Sequence, residues 1–383
     1  MIAFDRILLE NTVLAESAED LKDGGFISKA QFQTVKETFP TLKTHRNVFL
    51  RIAFFLLGTF CYSSCTGVFA LIFLSAGDHY ELMIVLLALL GGIAAELLAR
   101  QHFYAHGLDD AAICGLLLAT GSAGAVLFEN TLAVLSVVAM ASAVCALRYL
   151  HTISVVVCVV CVVGFIGVAT FEYHLIPEFY LTIVLFFLAT GLFFLHRKLK
   201  KHELSKYYVS PLQALQLGAL LLGYFSMNYF VVRELAVDMM GFSVEKGSDI
   251  PLAYLFYFFT FAIPVLYLVF GIRKRNKLVL WVGLFTFGFS IFTIRYYYHL
   301  IPTEWALLLG GLALMATSLF CIRKLKGKET GLTFEKDRMH ESNALSLAQA
   351  VVVNSHAIQN IPSKGPMEFG GGGFSGGGAG EQF

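Results

Sequence analysis

Charged residues are scarce in this chain, and their scarcity decides its class. Of 383 residues only 14% are Asp, Glu, Lys or Arg, whereas 57% are hydrophobic and the mean hydropathy is +0.70. Soluble domains carry roughly 25% charged residues, so the sequence predicts an all-α, polytopic membrane protein. The basic residues stand in short clusters beside apolar runs rather than on one soluble face, and we therefore expect no nucleic-acid partner.

Signatures of catalysis are lacking as well. The sequence has no HExxH motif, no paired aspartates in the middle of an apolar run and no convincing Ser/His arrangement. Ser375 sits in a formal G-x-S-x-G pattern, but within a glycine-rich stretch and not on a strand–turn–helix elbow. Cys158 and Cys161 have a redox spacing but lie among valines, where no positive charge stabilises a thiolate. We predict that the protein is not an enzyme and expect no catalytic residue, cofactor or metal.

The N-terminus lacks the apolar core of a signal peptide. Residues 4–22 have a helical spacing of apolar positions, which Gly24 and Gly25 would end. Ser28 is placed to cap a second helix over residues 29–38, and Pro40 closes it. Residues 1–46 are thus predicted to form a helix pair on the face of the membrane.

Apolar runs of bilayer-spanning length follow within residues 47–325. A spanning helix needs about 20 apolar residues, and the sequence predicts about ten such helices, of which the third and fourth are the shortest. Their ranges are 48–76, 81–99, 110–127, 130–147, 152–171, 177–196, 212–232, 251–271, 278–298 and 303–322.

The connections alternate in basic charge, which predicts the orientation. Basic residues occur before the first helix, at Arg100 and Arg148, and in clusters over 197–206, 273–277 and 323–328. The intervening connections hold only Arg233, Lys246 and Arg295. The positive-inside rule then places both termini in the cytoplasm, and we expect a bacterial inner-membrane protein.

One motif occurs twice. Residues 173–178 read YHLIPE and residues 298–304 read YHLIPTE, and each copy precedes an apolar run that ends in Arg-Lys-Leu-Lys. The two copies lie four helices apart, which predicts a parallel four-helix repeat of helices 3–6 and 7–10. Parallel repeats occur in transporters and also arise from plain duplication.

The repeated motif contains a candidate polar outer site. Its proline and glutamate suit the first turn of a helix, where a missing N–H is tolerated and negative charge is favoured. Helix-start chemistry explains those residues but not the histidines, which could share a proton, a metal or an anionic ligand. The candidate site comprises His174, Glu178, Arg295, His299 and Glu304.

Glu96 and Arg100 form a candidate intramembrane polar pair at the end of the second span. An i,i+4 ion pair is the simplest interpretation, and a substrate or proton site is the alternative. Arg233, Glu234 and Asp238 head the longest outer connection, residues 233–250, and we expect them to form a hydrated, self-paired charge group.

Residues 100–110 read RQHFYAHGLDD and offer His102, His106, Asp109 and Asp110. Two histidines at i and i+4 can chelate a metal when both lie on one helical face. The helix should end near this point and a third ligand is not fixed, so the favoured interpretation is a solvated connection.

Two stretches resemble known families. The run LKDGGFISKAQFQTVKETFP (21–40), followed by RIAFFLLGTF (51–60), resembles a family of bacterial multipass membrane proteins of unknown function that open with Gly-(Leu/Phe)-Ile-Ser-x-x-Gln. The resemblance implies the layout and no activity. Residues 326–383 form a predicted cytoplasmic tail that is disordered and glycine-rich from about residue 365. This tail resembles the C-termini of bacterial TPM-domain membrane proteins, which implies a recognition or weak association segment.

The function is therefore left between two hypotheses. The first is a membrane scaffold or assembly protein that contacts the lipid bilayer and binds other membrane proteins through the N-terminal helices and the tail. The second is a transporter or channel for a small solute built on the parallel repeat. A transporter would need a broken helix near the midplane, and Pro264 is the best candidate for such a break.

Overall fold

The computed structural model describes residues 2–76, 80–239, 249–298 and 303–326. These residues are all-α, with two short 3₁₀ turns and one isolated β-bridge between Lys43 and Phe103. The helices are α1 (Arg6–Asp23), α2 (Lys29–Thr38), α3 (Val48–Ala76), α4 (Tyr80–Arg100), α5 (Leu108–Leu127), α6 (Thr131–Tyr149), α7 (Thr152–Phe171), α8 (Leu181–Leu199), α9 (Val209–Phe225), α10 (Tyr229–Asp238), α11 (Ala253–Lys274), α12 (Lys277–Tyr298) and α13 (Thr303–Leu325).

Eight helices in the described residues are long and apolar enough to cross a membrane: α3 to α8, α11 and α12. The helices α9 and α10 pass the same test only together, because the chain bends by 69° between them. The predicted straight span over 212–232 is therefore wrong. The described part of the chain supports eight spans, or nine with the bent pair, and ten spans stay a prediction.

Local capping explains the N-terminal helix pair. Asp5 accepts a hydrogen bond from the backbone N–H of Ile7 at the start of α1. Ser28 and Gln31 form a reciprocal capping box at the start of α2, in which each side chain satisfies a backbone N–H that the helix leaves free. Between the helices, Gly25 takes a φ of +77°, which glycine adopts at little cost.

Two central helices organise the spans. In α5, half of the residues in the most apolar stretch are buried, whereas in α3 no residue of that stretch is buried. Helix α5 packs against α3, α4 and α6. Similarly, α9 packs against α7, α8, α11 and α12. Alanine and glycine are frequent in α5, and small residues let neighbouring helix backbones approach closely. We call the end of the bundle at which α4, α6, α8 and α11 finish the basic end.

Candidate functional site

The first copy of the repeated motif lies on an exposed surface. After α7 ends, His174 takes a left-handed backbone conformation with φ 48°, and a 3₁₀ turn over Glu178–Tyr180 leads into α8. His174 Nδ1 lies 3.9 Å from Glu178 Oε1, and the two side chains are 73% and 36% exposed. A contact this long and exposed contributes little to stability.

The structure describes only part of the second copy of the motif. His299 lies outside the described residues, as does the side chain of Glu304, whose backbone is in α13. Arg295 is half-buried on α12. Helix α12 packs on α11 and α9. Helix α7, which ends just before the first copy, packs mainly on α6 and α9. A meeting of the two histidines stays a prediction.

Glu96 has a stronger partner than the one expected. Its carboxylate accepts hydrogen bonds from Arg148 Nη2 at 2.8 Å, from Arg148 Nε at 3.1 Å and from the Tyr149 hydroxyl at 3.2 Å. The distance from Arg100 Nε to Glu96 Oε1 is 3.6 Å, and the Arg100 side chain is 74% exposed. The principal ion pair of Glu96 therefore links α4 to α6, and the contact with Arg100 is secondary.

The end of the connection before α5 is buried although His102 is exposed, so the expectation of a solvated connection was wrong for His106, Asp109 and Asp110. His106, Asp109 and Asp110 are each at most 8% exposed. Asp110 accepts from Arg51 Nε at 2.6 Å and from Arg51 Nη2 at 2.9 Å. Its other neighbour is His151, whose Nε2 lies 3.1 Å from Asp110 Oδ1, in a direction that does not suit a hydrogen bond. These contacts join α3, α5 and the start of α7.

The same imidazole caps α7. His151 Nδ1 accepts a hydrogen bond from the backbone N–H of Ser154 at 3.3 Å and lies 2.8 Å from the Ser154 hydroxyl. With Nδ1 as an acceptor, a neutral ring carries its proton on Nε2. Carboxylate, imidazole and hydroxyl stand in series, as in a hydrolase triad, but Ser154 has no exposed surface. A substrate cannot reach the hydroxyl, and we interpret the series as structural.

His106 sits in an aromatic box beside this contact. Its ring centroid lies 4.2 Å from that of His45, 4.4 Å from that of Phe54 and 4.8 Å from that of Phe103. Its Nδ1 is buried without a hydrogen-bond partner among the described residues. Burial, helped by the nearby His45, lowers the pKa of His106 below its usual value. The box thus favours a neutral imidazole.

The N-terminal segment is fixed to this end of the spans. The backbone N–H of Ala3 donates to the carbonyl of Arg148 at 2.9 Å, and that of Lys43 donates to the carbonyl of His102 at 2.8 Å. Glu10 accepts from Lys206, in the α8–α9 connection, at 2.8 Å. One buried apolar cluster unites the segment with the span ends: Phe4, Leu9, Leu42, Ala99, Leu150 and Tyr207. We call this assembly, residues 2–46 with the span ends they contact, the N-terminal junction.

The break between α9 and α10 is built from uncharged polar side chains. Asn228 caps α10, and its Nδ2 donates to the Tyr224 hydroxyl at 2.8 Å. That hydroxyl lies 2.9 Å from the Ser290 hydroxyl on α12. The backbone N–H of Tyr229, which the break frees, donates to Thr260 Oγ1 on α11 at 2.9 Å. The N–H groups of Met227, Tyr229 and Val231 thus have partners at the break, as an apolar environment favours.

Pro264 does not interrupt α11, contrary to its expected role as a break. A proline removes the backbone N–H that would bond to the carbonyl four residues earlier, here the carbonyl of Thr260. The Ser290 hydroxyl donates to that carbonyl at 2.5 Å. Helix α12 therefore satisfies the group that Pro264 leaves free, and α11 continues from Ala253 to Lys274.

The charges after the break are not self-paired, and that expectation is corrected. Arg233 and Glu234 lie on α10. Arg233 Nη1 donates to the Tyr229 hydroxyl at 2.9 Å, and its guanidinium lies over the ring of Tyr297, 4.4 Å from the centroid. The hydroxyl of Tyr297 donates to Glu234. Aromatic side chains separate the two charges, and no salt bridge joins them in the described structure.

A groove of about 580 Å³ lies between α8 and α11. Its floor is α9 with the start of α12, and the Tyr267 hydroxyl donates to the Leu220 carbonyl at 3.0 Å across the gap from α11 to α9. Aromatic and aliphatic side chains line most of it. At the basic end the lining turns polar, with His196, Arg197, Lys200, Gln216, Lys274 and Asn276.

Sequence reasoning missed both the junction and the groove. A weak signal for the junction existed in Asp109 and Asp110, two adjacent carboxylates at the start of an apolar run. The groove had none, because its lining comes from four helices. No group of three metal-ligating His, Cys, Asp or Glu side chains occurs among the described residues. No protein-family model matches the chain, and neither curated proteins nor solved structures give a match.

Proposed function

We propose that the chain is a non-enzymatic scaffold of the bacterial inner membrane that presents its N-terminal helix pair at the cytoplasmic face. The observation that carries this proposal is the N-terminal junction. The Asp110 side chain, 5% exposed, accepts hydrogen bonds from Arg51. The N-terminal segment contacts the same connection, since Lys43 bonds to His102 and His45 packs on His106. The carboxylate is buried but Arg51 is 38% exposed, so we expect breaking the pair to cost about 1 kcal/mol or more. We propose that the pair helps to hold the helix pair as a platform.

The presented surface supports an interaction role. No residue of α2 is buried, and Phe26 and Phe39, which flank it, are 57% and 38% exposed. Exposed aromatic side chains are enriched at protein interfaces. We propose that α2 and the C-terminal tail bind other membrane proteins, while the lipid bilayer surrounds the spans.

The proposed layout is ten spans with cytoplasmic termini and a parallel repeat of α5–α8 and α9–α13. Helix packing supports the repeat, because the extensive α6–α7 contact in the first unit has its counterpart in α11–α12 of the second. The contact of α4 with α5 corresponds in the same way to that of α8 with α9. In this layout α13 is the tenth span and the bent pair α9–α10 is the seventh.

Photo-crosslinking in intact membranes tests the scaffold. A photo-reactive residue at Gln33 or Lys36, both exposed on α2, should crosslink to a distinct membrane protein. Asp110→Asn should reduce that crosslink at least about fivefold, since about 1 kcal/mol of lost platform stability corresponds to that factor. The matched control is Asp109→Asn. Asp109 accepts from two backbone N–H groups, which an asparagine oxygen can also do.

Absence of any crosslinked protein in the wild type would contradict the scaffold, as would a crosslink that survives Asp110→Asn unchanged. In either case the transporter becomes the better proposal. The 69° break between α9 and α10 favours that second candidate, because transporter sites use discontinuous helices. Solute flux into vesicles that Asn228→Ala abolishes, with α2 crosslinks unaffected, would establish it.

A further inference from the structure

We propose that the groove between α8 and α11 is a binding site for an anionic phospholipid of the surrounding bilayer. The phosphate would lie among Arg197, Lys200 and Lys274, and an acyl chain would lie along the aromatic wall. This proposal is independent of the scaffold function, because no residue that lines the groove belongs to the buried cluster of the N-terminal junction.

Charge is the first argument. Arg197 and Lys200 come from α8 and Lys274 from α11, so both walls of the groove contribute cations at one end. No carboxylate among the described residues pairs with any of the three. Three cations that converge without a counter-charge repel one another and attract an anion, and basic pockets between spans bind acidic lipid headgroups.

A buried amide is the second argument. Gln216 on α9 is 6% exposed and lines the groove, yet its side chain has no hydrogen-bond partner among the described residues. Its amide keeps contact with the groove, since the fully buried atoms without a partner in the described residues are His106 Nδ1 and His151 Nε2. Phosphate or ester oxygens of a bound lipid would accept from it. The Gln216 amide is therefore a hydrogen-bond donor without a protein acceptor, beside the cations of the site.

The shape of the groove selects an amphiphile over a small anion. Above the cations the lining is apolar over most of its length, with Phe186, Phe193, Leu266 and Phe270 on the walls. Inorganic phosphate could contact the cations but would leave these walls uncovered. An acyl chain covers them through van der Waals contacts. Charge and apolar length together fit a phospholipid.

Lipid titration of the full-length protein in detergent micelles tests the site. Phosphatidylglycerol, phosphatidylcholine and inorganic phosphate are added separately, and binding is followed by native mass spectrometry and by thermal unfolding. Phosphatidylglycerol should bind and raise the melting temperature, whereas the other two should have little effect. Lys200→Gln with Lys274→Gln should weaken phosphatidylglycerol binding about 25-fold, at about fivefold for each charge removed.

The matched control is Lys198→Gln with Arg273→Gln, which removes two charges from the same helix ends outside the groove lining. This control should keep wild-type affinity. A second variant, Thr190→Trp, fills the apolar part of the groove without changing its charge, and it should weaken phosphatidylglycerol binding too.

Three results would overturn the proposal. Equal stabilisation by inorganic phosphate would mean a small-anion site, and equal binding of phosphatidylcholine would mean that the cations do not select the headgroup. An equal loss in the Lys198 and Arg273 control would mean that general surface charge attracts the lipid. The first two outcomes can be read even if a variant unfolds, because they need only the wild-type protein and the three ligands.

Discussion

Two regions of the molecule are built alike and differ in how they are closed. In the first, α4 and α6 flank the central helix α5. In the second, α8 and α11 flank the central helix α9. The first region is closed at the basic end by the ion pair of Glu96 with Arg148, and the N-terminal segment covers it. The second region is open and forms the groove.

A single carboxylate explains much of the difference. Arg148 on α6 and Lys274 on α11 are both cations near the basic end of a flanking helix. Helix α4 offers Glu96 to the first, whereas the last turn of α8 offers only His196, Arg197 and Lys198 to the second. An intramolecular pair draws α6 towards α4 in the first region. In the second, both walls are basic, and closure would bring like charges together.

The largest expected effect comes from opening the closed region at Gly107. This residue has a φ of +109°, and a Cβ built on it would lie 2.3 Å from the Arg51 carbonyl oxygen. Gly107→Ala should therefore push α3 away from α5 and destabilise the junction by about 3 kcal/mol or more, from overpacking and left-handed strain together. Thermal unfolding and protease cleavage within residues 2–46 would measure it.

Gly25→Ala is the control for backbone strain alone. Gly25 also has positive φ, +77°, but a Cβ there would meet no atom within 4 Å. Its cost should be about 1–2 kcal/mol, without increased cleavage at the span ends. Equal effects of the two substitutions would show that close packing at Gly107 does not hold the junction.

A smaller effect should follow from Glu96→Gln, which leaves Arg148 without its charge partner. The pair is partly exposed, with side chains 30% and 37% accessible, so we expect a loss of about 1–2 kcal/mol in the free energy of unfolding. Arg100→Gln, which removes only the 3.6 Å contact, should cost less than about 0.5 kcal/mol. If Arg100→Gln cost more than Glu96→Gln, the i,i+4 contact would be the main ion pair. The contrast between a closed and an open region would then lose its basis.

The helices of this fold could be predicted from the sequence because apolar length is a local property. Twenty consecutive apolar residues predict a helix whatever lies elsewhere, and Ser28 marks a cap through the identity of Gln31 three positions on. The break at residues 226–228 was missed for the same reason. Short polar residues such as Ser226 and Asn228 are tolerated in straight spans, and the groups that stabilise the break lie on α11 and α12.

Burial of charge could not be predicted, because its cause is non-local. Asp110 stands at the start of an apolar run, where a carboxylate is normally solvated, and its partner Arg51 is 59 residues away. Glu96 had a visible partner at Arg100, and the structure adds a better one in Arg148, 52 residues away. Spacing in the sequence, as for the repeated histidines, identifies residues that are close along the chain. It does not identify which residues distant in sequence lie close together in the fold.

The smallest expected effect is a pH dependence of the closed region that comes from His106. His106 faces His45 and Lys43, which lower its pKa further, and Asp109 and Asp110, which oppose that change. Its pKa in the folded protein lies below the ordinary value of 6.5. The unfolded junction therefore takes up a proton before the folded one does. Stability should be complete above about pH 6.5 and should fall as the pH decreases through the lowered folded pKa.

Melting curves between about pH 5 and pH 8 would measure this dependence. His106→Phe should flatten it, because a phenyl ring fits among Phe54 and Phe103 without taking up a proton. His102→Gln is the control, since His102 lies in the same connection but is exposed, and it should keep the wild-type profile. A profile unchanged in His106→Phe would mean that the buried imidazole does not govern the junction. The difference between the two regions would then rest on the pairing of Glu96 alone.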